Sequence, residues 1–312
     1  MGSLRRVGLL SLLAAIASGA AASRPVAGRS ADPLAVATAS GWQTWWRRGA
    51  SPSRWDGSAP LAHHVVWHTT LRGVEWGELR LQGAGEAWRT RVIVVRLDPT
   101  QVRLSLIPAF SHGQTWNIAR VDRDVAVALD AGQFRRTLPF GWVMSGGHEI
   151  LPPEHAPLAG AVVITHDGRL RIVAPDSVAL ERGQRAALEA FQSYPLLLQN
   201  GELPPPLRHP GNDVDLEHRD ARLALGTLAD GRVVIALTRF DALGPSFGRI
   251  PLGLTTPEMA AVMGALGCRN ALMLDGGISG QLLLRDAAGH SRSWPGIRSV
   301  PLGLVAKPLI GR

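Results

Sequence analysis

Cysteine and lysine are nearly absent from this sequence of 312 residues. Cys268 is the only cysteine, which excludes an intrachain disulfide and a cysteine-based zinc site. Of the 33 basic residues only Lys307 is a lysine, and the excess of arginine fits either a composition bias or guanidinium groups that bind phosphate or carboxylate. Charged residues make up 19% of the chain and hydrophobic residues 46%. This composition excludes wholesale disorder and allows one large domain or two small ones.

Several motifs that mark common functions are also missing. The chain has no phosphate-cradling P-loop and no dinucleotide-binding fingerprint. Gly277–Gln281 lacks the second glycine of a serine-hydrolase nucleophile elbow. The net charge is +8 at pH 7, but no dense basic run with interleaved aromatic residues accompanies it. We therefore predict no nucleic-acid partner.

The N-terminus has the pattern of a secretory signal peptide. Arg5 and Arg6 are followed by the apolar run Val7–Ala17 and by small residues up to Ala22. The apolar run is shorter than the roughly 20 residues of a membrane-spanning helix. We expect residues 1–22 to direct export to the periplasm or the cell exterior, with no stable membrane insertion after the signal is cleaved.

Residues 23–60, rich in Ala, Ser, Arg and Gly, are interpreted as a linker with a tryptophan-rich arm. Six of the ten tryptophans lie between Trp42 and Trp76. We expect them to pack the arm onto the domain, and a sugar-stacking platform is the functional alternative. Residues 61–310 are expected to form a single domain of catalytic type.

Short β-like runs separated by turn residues indicate strands through most of this domain. Gly160–Thr165 and Leu170–Val173 flank an Asp-Gly turn, as do Arg222–Leu228 and Arg232–Leu237, and both pairs are typical of β hairpins. Helices are few, and Glu181–Phe191 is predicted to be one of them. The pattern predicts an α+β fold, with a mixed, mostly antiparallel sheet and a few packed helices.

The most informative stretch is Gly253–Ser279. Thr255 and Glu258 have the spacing of a capping box at the start of a helix. Asn270–Leu274 is then a buried strand, and it delivers Asp275 into a glycine turn. A carboxylate at the end of an apolar strand is costly unless it is paired or hydrogen-bonded. Such perturbed carboxylates are concentrated at functional sites, so chemistry is expected here first.

Four ordered segments resemble the phosphodiester glycosidase family, and the resemblance covers roughly Gln114 to Leu304. The segments are Asp130–Phe134, Tyr194–Leu197 with the turn Asn200-Gly201, Arg222–Gly226 with the turn Asp230-Gly231, and Gly253–Thr255 followed by Met273–Ser279. The chain departs from the family pattern where it has Asp130 and Met273 in place of Asn, and Ala131 and Ile278 in place of Gly.

The resemblance implies a hydrolase that cleaves a sugar joined through its anomeric carbon to a phosphodiester. It implies that Asp275 stabilises or attacks the positive anomeric centre, that Arg222 neutralises the leaving phosphate, and that Asp130 is a second carboxylate. The residues expected to bind substrate are Gly132, Gly276, Gly277 and Ser279.

Structural interpretations stay open beside these roles. Arg222 can anchor a strand end, Asp130 can be a turn residue, and Ser279 can be a turn hydroxyl. No cofactor or metal is predicted, although the sequence leaves a divalent cation open. The expected partner is a glycan or sugar phosphate of cell-envelope or exopolysaccharide metabolism. The alternative is a non-catalytic polysaccharide-binding module of the same fold.

Overall fold

The computed structural model of the protein describes residues 33–208, 215–242 and 248–309. The predicted signal peptide, residues 1–22, lies outside the described residues, as do the start of the predicted arm and residue 310 at the end of the predicted domain. The described ranges form a single domain in which strands predominate.

The strands of the described ranges are, in chain order, β1 (Pro33–Thr38), β2 (Gly41–Arg47), β3 (His68–Leu71), β4 (Val74–Gln82), β5 (Thr90–Leu97), β6 (Val102–Ile107), β7 (Val127–Asp130), β8 (Phe134–Arg135), β9 (Leu138–Pro139), β10 (Val143–Ser145), β11 (His148–Leu151), β12 (Gly160–Thr165), β13 (Leu170–Val173), β14 (Ala187–Ser193), β15 (Leu196–Leu198), β16 (Leu223–Thr227), β17 (Val233–Phe240), β18 (Asn270–Leu274), β19 (Leu282–Arg285), β20 (Ser291–Trp294) and β21 (Gly303–Pro308). The α-helices there are α1 (Val178–Gln184) and α2 (Thr256–Ala265).

The strands form three large sheets and one small one. The nine-stranded sheet has the order β15-β18-β16-β17-β5-β4-β1-β2, with β3 also paired to β4. The two five-stranded sheets have the orders β11-β10-β14-β12-β13 and β20-β19-β7-β21-β6, and β8 pairs with β9.

Every strand pairing in the described ranges is antiparallel. The prediction of mostly antiparallel strands with few helices is confirmed, whereas the prediction of a mixed sheet is wrong. The physical reason lies in the connections: many neighbouring strands are joined by hairpins, and parallel neighbours would need long crossovers.

The described part of the expected linker, residues 33–60, is built into the domain. β1 and β2 form a hairpin, and β1 also pairs with β4 in the largest sheet. Leu34 and Val36 are fully buried, an alternation that the Ala- and Ser-rich composition concealed. Trp55 packs so closely on α2 that a Cβ on Gly264 would lie 2.4 Å from its ring. This segment therefore differs from a linker, because it supplies strands and core side chains.

Helix α2 lies inside the core and directly precedes β18, the strand that ends at the predicted site. Every residue from Thr256 to Ala265 is buried. The predicted capping box is present: the Thr255 hydroxyl accepts from the N–H of Glu258, and the Glu258 carboxylate accepts from the N–H of Thr255. The helix packs against β15 and β16 and leads into β18. Within the described ranges, no helix has the length and apolar character needed to span a membrane.

Candidate active site

Two strand ends from different sheets meet at the predicted site. Asp130 is the last residue of β7, and Asp275 directly follows β18. The backbone N–H of Asp275 donates to the carbonyl oxygen of Gly132 at 2.9 Å, which ties the two segments together. Gly132 has a φ of +72°, and a Cβ there would lie 2.9 Å from the carbonyl oxygen of Gln192. Only glycine satisfies both conditions without strain.

The turn after Asp275 needs glycine because another backbone approaches it closely. A Cβ on Gly276 would lie 2.2 Å from the carbonyl oxygen of Ala221. Gly277 has a φ of +53°, and its N–H donates to the same carbonyl oxygen at 2.7 Å. These glycines therefore seat the turn against the segment that enters β16. The sequence predicts that Gly277 binds substrate, but its N–H is already engaged by this carbonyl oxygen within the protein.

Asp275 is the predicted acid that solvent reaches. Its side chain is 19% exposed, and Arg298 Nη2 lies 3.4 Å from its Oδ2. The Nε of Arg298 also donates to the hydroxyl of Ser279 at 2.8 Å. Burial raises the pKa of Asp275, while a hydrogen bond from Ser279 and the positive charge of Arg298 oppose that rise. Asp275 is thus a partly desolvated carboxylate held by one cation and one hydroxyl.

Sequence reasoning did not identify Arg298. Its side chain is 47% exposed, and its guanidinium carbon lies 4.5 Å from the centroid of the Phe134 ring. Stacking on an aromatic ring holds the guanidinium plane in place. The residue carries no local signal, because its partners Ser279 and Asp275 lie 19 and 23 positions away. Only the fold makes it part of the site.

Asp130 lies beneath the site, where solvent does not reach it. It is 1% exposed, and its Oδ1 accepts from the N–H of Gln281 at 2.8 Å. Its Oδ2 has no hydrogen-bond partner among the residues described. Burial raises the pKa of Asp130 well above its usual range, the negative charge of Asp275 raises it further, and the positive charge of Arg239 opposes the rise. Asp130 is therefore not placed to touch a substrate directly.

Arg222 serves as an anchor. Its Nε donates to the carbonyl oxygen of Leu254 at 2.8 Å, and its Nη2 donates to the carbonyl oxygen of His218. Burial lowers the pKa of Arg222, and the nearby charge of Asp220 opposes that shift. These contacts fit the structural interpretation that the sequence left open. The guanidinium that reaches Asp275 is that of Arg298 instead.

All seven predicted site residues are thus in one region where two sheets meet, and three of them, Asp130, Gly132 and Ser279, are buried. Three cavities of about 440, 680 and 690 Å³ are lined by residues other than these seven. Across residues 33–208, 215–242 and 248–309, no group of three or more His, Cys, Asp or Glu residues is arranged to hold a metal ion.

A carboxylate beside an arginine fork supplies the two groups that hydrolysis of a glycosyl phosphate needs, one for each charge that develops. The site combines a partly buried carboxylate with the guanidinium of Arg298. A family profile described as phosphodiester glycosidase matches residues 121–307, and the chain belongs to that family. The resemblance found from the sequence motifs is confirmed. A search of curated proteins finds no match at the sequence level.

Solved structures share the fold. The catalytic domain of zebrafish N-acetylglucosamine-1-phosphodiester α-N-acetylglucosaminidase, auto-inhibited by its pro-peptide, matches with a TM-score of 0.58 and 16% identity over 82% of this chain and 94% of that one. A hypothetical protein from Synechocystis matches with a TM-score of 0.57 and 15% identity over 89% of this chain and 68% of that one. At these identities the likeness establishes the fold alone.

Proposed function

We propose that the protein is an exported hydrolase that cleaves a sugar-1-phosphodiester in a phosphate-linked glycan of the cell envelope or exopolysaccharide. The observation that carries the proposal is the contact of Arg298 with both Asp275 and Ser279 at the glycine turn. Membership of the phosphodiester glycosidase family and the fold shared with the zebrafish enzyme support it. The signal-like N-terminus of the sequence supports export.

The proposed chemistry follows from the charges of the transition state. As the bond between the anomeric carbon and the phosphate oxygen breaks, positive charge grows on the sugar ring, and the carboxylate of Asp275 stabilises it. Negative charge grows on the departing phosphate, and the half-exposed guanidinium of Arg298 donates hydrogen bonds to it. A phosphomonoester anion is a good leaving group, so it does not require a strong general acid.

An Asp275→Asn variant tests this proposal. Asn preserves the shape of the side chain and removes the negative charge. We expect kcat for release of sugar from methyl esters of N-acetylglucosamine-1-phosphate and glucose-1-phosphate to fall by about 10²-fold or more. Glu202→Gln is the matched control, because Glu202 forms an exposed ion pair with Arg54 away from the site. Unchanged turnover by a folded Asp275→Asn protein would remove Asp275 from the mechanism.

One observation favours a second candidate, a polysaccharide-binding module without catalysis. Trp42 and Trp88 are 42% and 47% exposed, and the guanidinium of Arg89 lies 5.8 and 5.6 Å from their rings. Exposed tryptophan faces stack on sugars. A glycan array with wild type and a Trp42→Ala variant separates the candidates. Glycan binding that depends on Trp42, with no hydrolysis by wild type, supports the module.

A further inference from the structure

We propose that Asp220 is a second catalytic carboxylate of this site and takes the proton from the water that attacks the anomeric carbon. The inference deepens the proposed function and rests on it.

The fold fixes the Asp220 carboxylate against the turn that carries Asp275. The backbone of Asp220 exchanges two hydrogen bonds with that of Leu254, at 3.2 and 3.0 Å, which anchors the residue just before β16. Its Oδ2 and Oδ1 lie 2.8 and 3.2 Å from the position of a Cβ on Gly277. Because glycine has no Cβ, the carboxylate fits beside the turn. Asp275 thus comes directly before the turn, and the Asp220 carboxylate lies against Gly277 within it.

One oxygen of Asp220 lacks the partner that a structural carboxylate normally has. Oδ1 is buried and accepts no hydrogen bond from any residue in the described ranges. Glu258 provides the contrast within this protein, since both of its oxygens accept from the guanidinium of Arg219. Buried polar atoms are nearly always hydrogen-bonded in folded proteins, and a catalytic role is one of the reasons for an exception. Asp130 also has such an oxygen, but Asp130 is 1% exposed, whereas the side chain of Asp220 is 24% exposed and open to a proton donor.

The groups around Asp220 and Asp275 differ, and this difference assigns the two acids different roles in the proposed reaction. His218 Nε2 lies 3.7 Å from Oδ2, the guanidinium of Arg222 is engaged by backbone carbonyls, and the charge of Asp220 raises the pKa of Asp275. Burial raises the pKa of Asp220, with Arg222 opposing. Asp275 has hydrogen bonds from Arg298 and Ser279 to stabilise its charge. Burial raises the pKa of both acids, so the roles are assigned from position: Asp275 contacts the guanidinium of Arg298, whereas Asp220 has an oxygen without a hydrogen-bond partner in the described ranges.

The oxygen of water forms a bond to the anomeric carbon while the bond from that carbon to the phosphate oxygen breaks, and the electron pair leaves with the phosphomonoester. One proton of the water passes to the carboxylate of Asp220, and the other stays on the new sugar hydroxyl. Asp220 then releases its proton to solvent, which restores the carboxylate.

Asp220→Asn and Asp215→Asn form the test pair, assayed with the same two methyl esters. Asp215 is an exposed acid of the same loop whose Oδ1 accepts from two backbone N–H groups, which an Asn oxygen can also do. We expect Asp220→Asn to lower kcat by about 10²- to 10⁴-fold and Asp215→Asn to leave it near wild type. Thermal unfolding of both variants verifies that they are folded.

The pH profile separates a proton-transfer role from a structural one. In wild type both acids must be ionised, so log(kcat/KM) rises at low pH with a slope approaching about two, and in Asp220→Asn with a slope of about one. Formate should restore part of the activity of Asp220→Ala by supplying a carboxylate. The proposal is overturned if Asp220→Asn loses activity at every pH with an unchanged slope and formate does not restore activity to Asp220→Ala. Full activity of Asp220→Asn overturns it as well. If the wild-type protein does not turn over either ester, both the proposed function and this inference are overturned. If only Asp275→Asn loses activity, the proposed function is supported and the role of Asp220 is overturned.

Discussion

Replacing Arg298 by Ala tests the central contact of the site. The substitution removes the Nη2 group that lies 3.4 Å from Asp275 Oδ2 and the Nε that donates to Ser279 at 2.8 Å. It also removes the cation proposed to receive the negative charge of the leaving phosphate. The stacking contact with Phe134 is lost as well, but both side chains are partly exposed, so the fold should tolerate the change.

The size of the effect follows from the interactions that are lost. A hydrogen bond to a charged group contributes about 1.5–3 kcal/mol. Loss of one such contact in the transition state lowers kcat/KM by about 10- to 150-fold, at about 1.4 kcal/mol for each factor of ten. The charge and hydrogen bond of Arg298 also hold down the pKa of Asp275. Without them that pKa rises further, less of the acid is ionised at a given pH, and the acid limb of the pH profile moves to higher pH.

Kinetic constants measured across pH on the N-acetylglucosamine-1-phosphate methyl ester are the assay. Arg298→Lys should fall between wild type and Arg298→Ala, because lysine keeps the charge and loses the fork. Arg169→Ala is the control, since Arg169 is an arginine whose side chain is 82% exposed on a hairpin turn. If kcat/KM of Arg298→Ala stays within about twofold of wild type and the acid limb does not move, Arg298 does not act on Asp275 or on the phosphate.

Two further predictions concern groups around the site. Trp55→Ala should lower the free energy of unfolding by about 3–5 kcal/mol in urea denaturation, because Trp55 is buried against Gly264; a loss below about 1 kcal/mol would mean that the arm is not part of the core. Asp130→Asn should keep kcat/KM within about threefold of wild type and leave the melting temperature undiminished, because Asn resembles a neutral carboxyl group. A loss of kcat/KM above about 100-fold would show that the negative charge of Asp130 is needed.

The sequence correctly predicts those segments whose local sequence signal favours the same structure as their packing in the fold. The capping box of Thr255 and Glu258 and the strand Asn270–Leu274 are confirmed, because the helix start is encoded within four residues and the strand is apolar after Asn270. The two Asp-Gly hairpins are also confirmed, as β12 with β13 and β16 with β17. In each case a short stretch contains its own turn signal.

The predicted helix Glu181–Phe191 shows where local preference is overruled. The structure ends α1 at Gln184, and Arg185 follows with a φ of +52°. Residues Ala187–Ser193 then form β14, which pairs with β10 on one side and β12 on the other. The central position in a sheet buries this segment between two neighbours. Such tertiary pairing is invisible in a window of a few residues.

The residues of the candidate site also differ in whether the local sequence identifies them. Asp275 could be identified because a charged residue ends a buried strand before two glycines. Arg298 and Asp220 could not be identified, because their importance comes from residues distant in the chain and neither stands in a motif. Arg222 was assigned the contact with phosphate, yet its side chain is occupied by two backbone carbonyls. A motif gives the position of a residue along the chain, while the fold decides where its side chain points.

The raised pKa of Asp130 connects the departure from the family pattern with the physics of the site. The sequence resemblance implies Asn at this position, where this chain has an acid. Asp130 is buried beneath Asp275, and both burial and the charge of Asp275 favour its protonated form. A protonated carboxyl group resembles a carboxamide: it is neutral, with one carbonyl acceptor and one donor. In that form its Oδ1 still accepts from the N–H of Gln281, and Asp130 adds no negative charge beneath Asp275. A protonated acid at this position then supports Asp275 as a neutral side chain, in the way that Asn would.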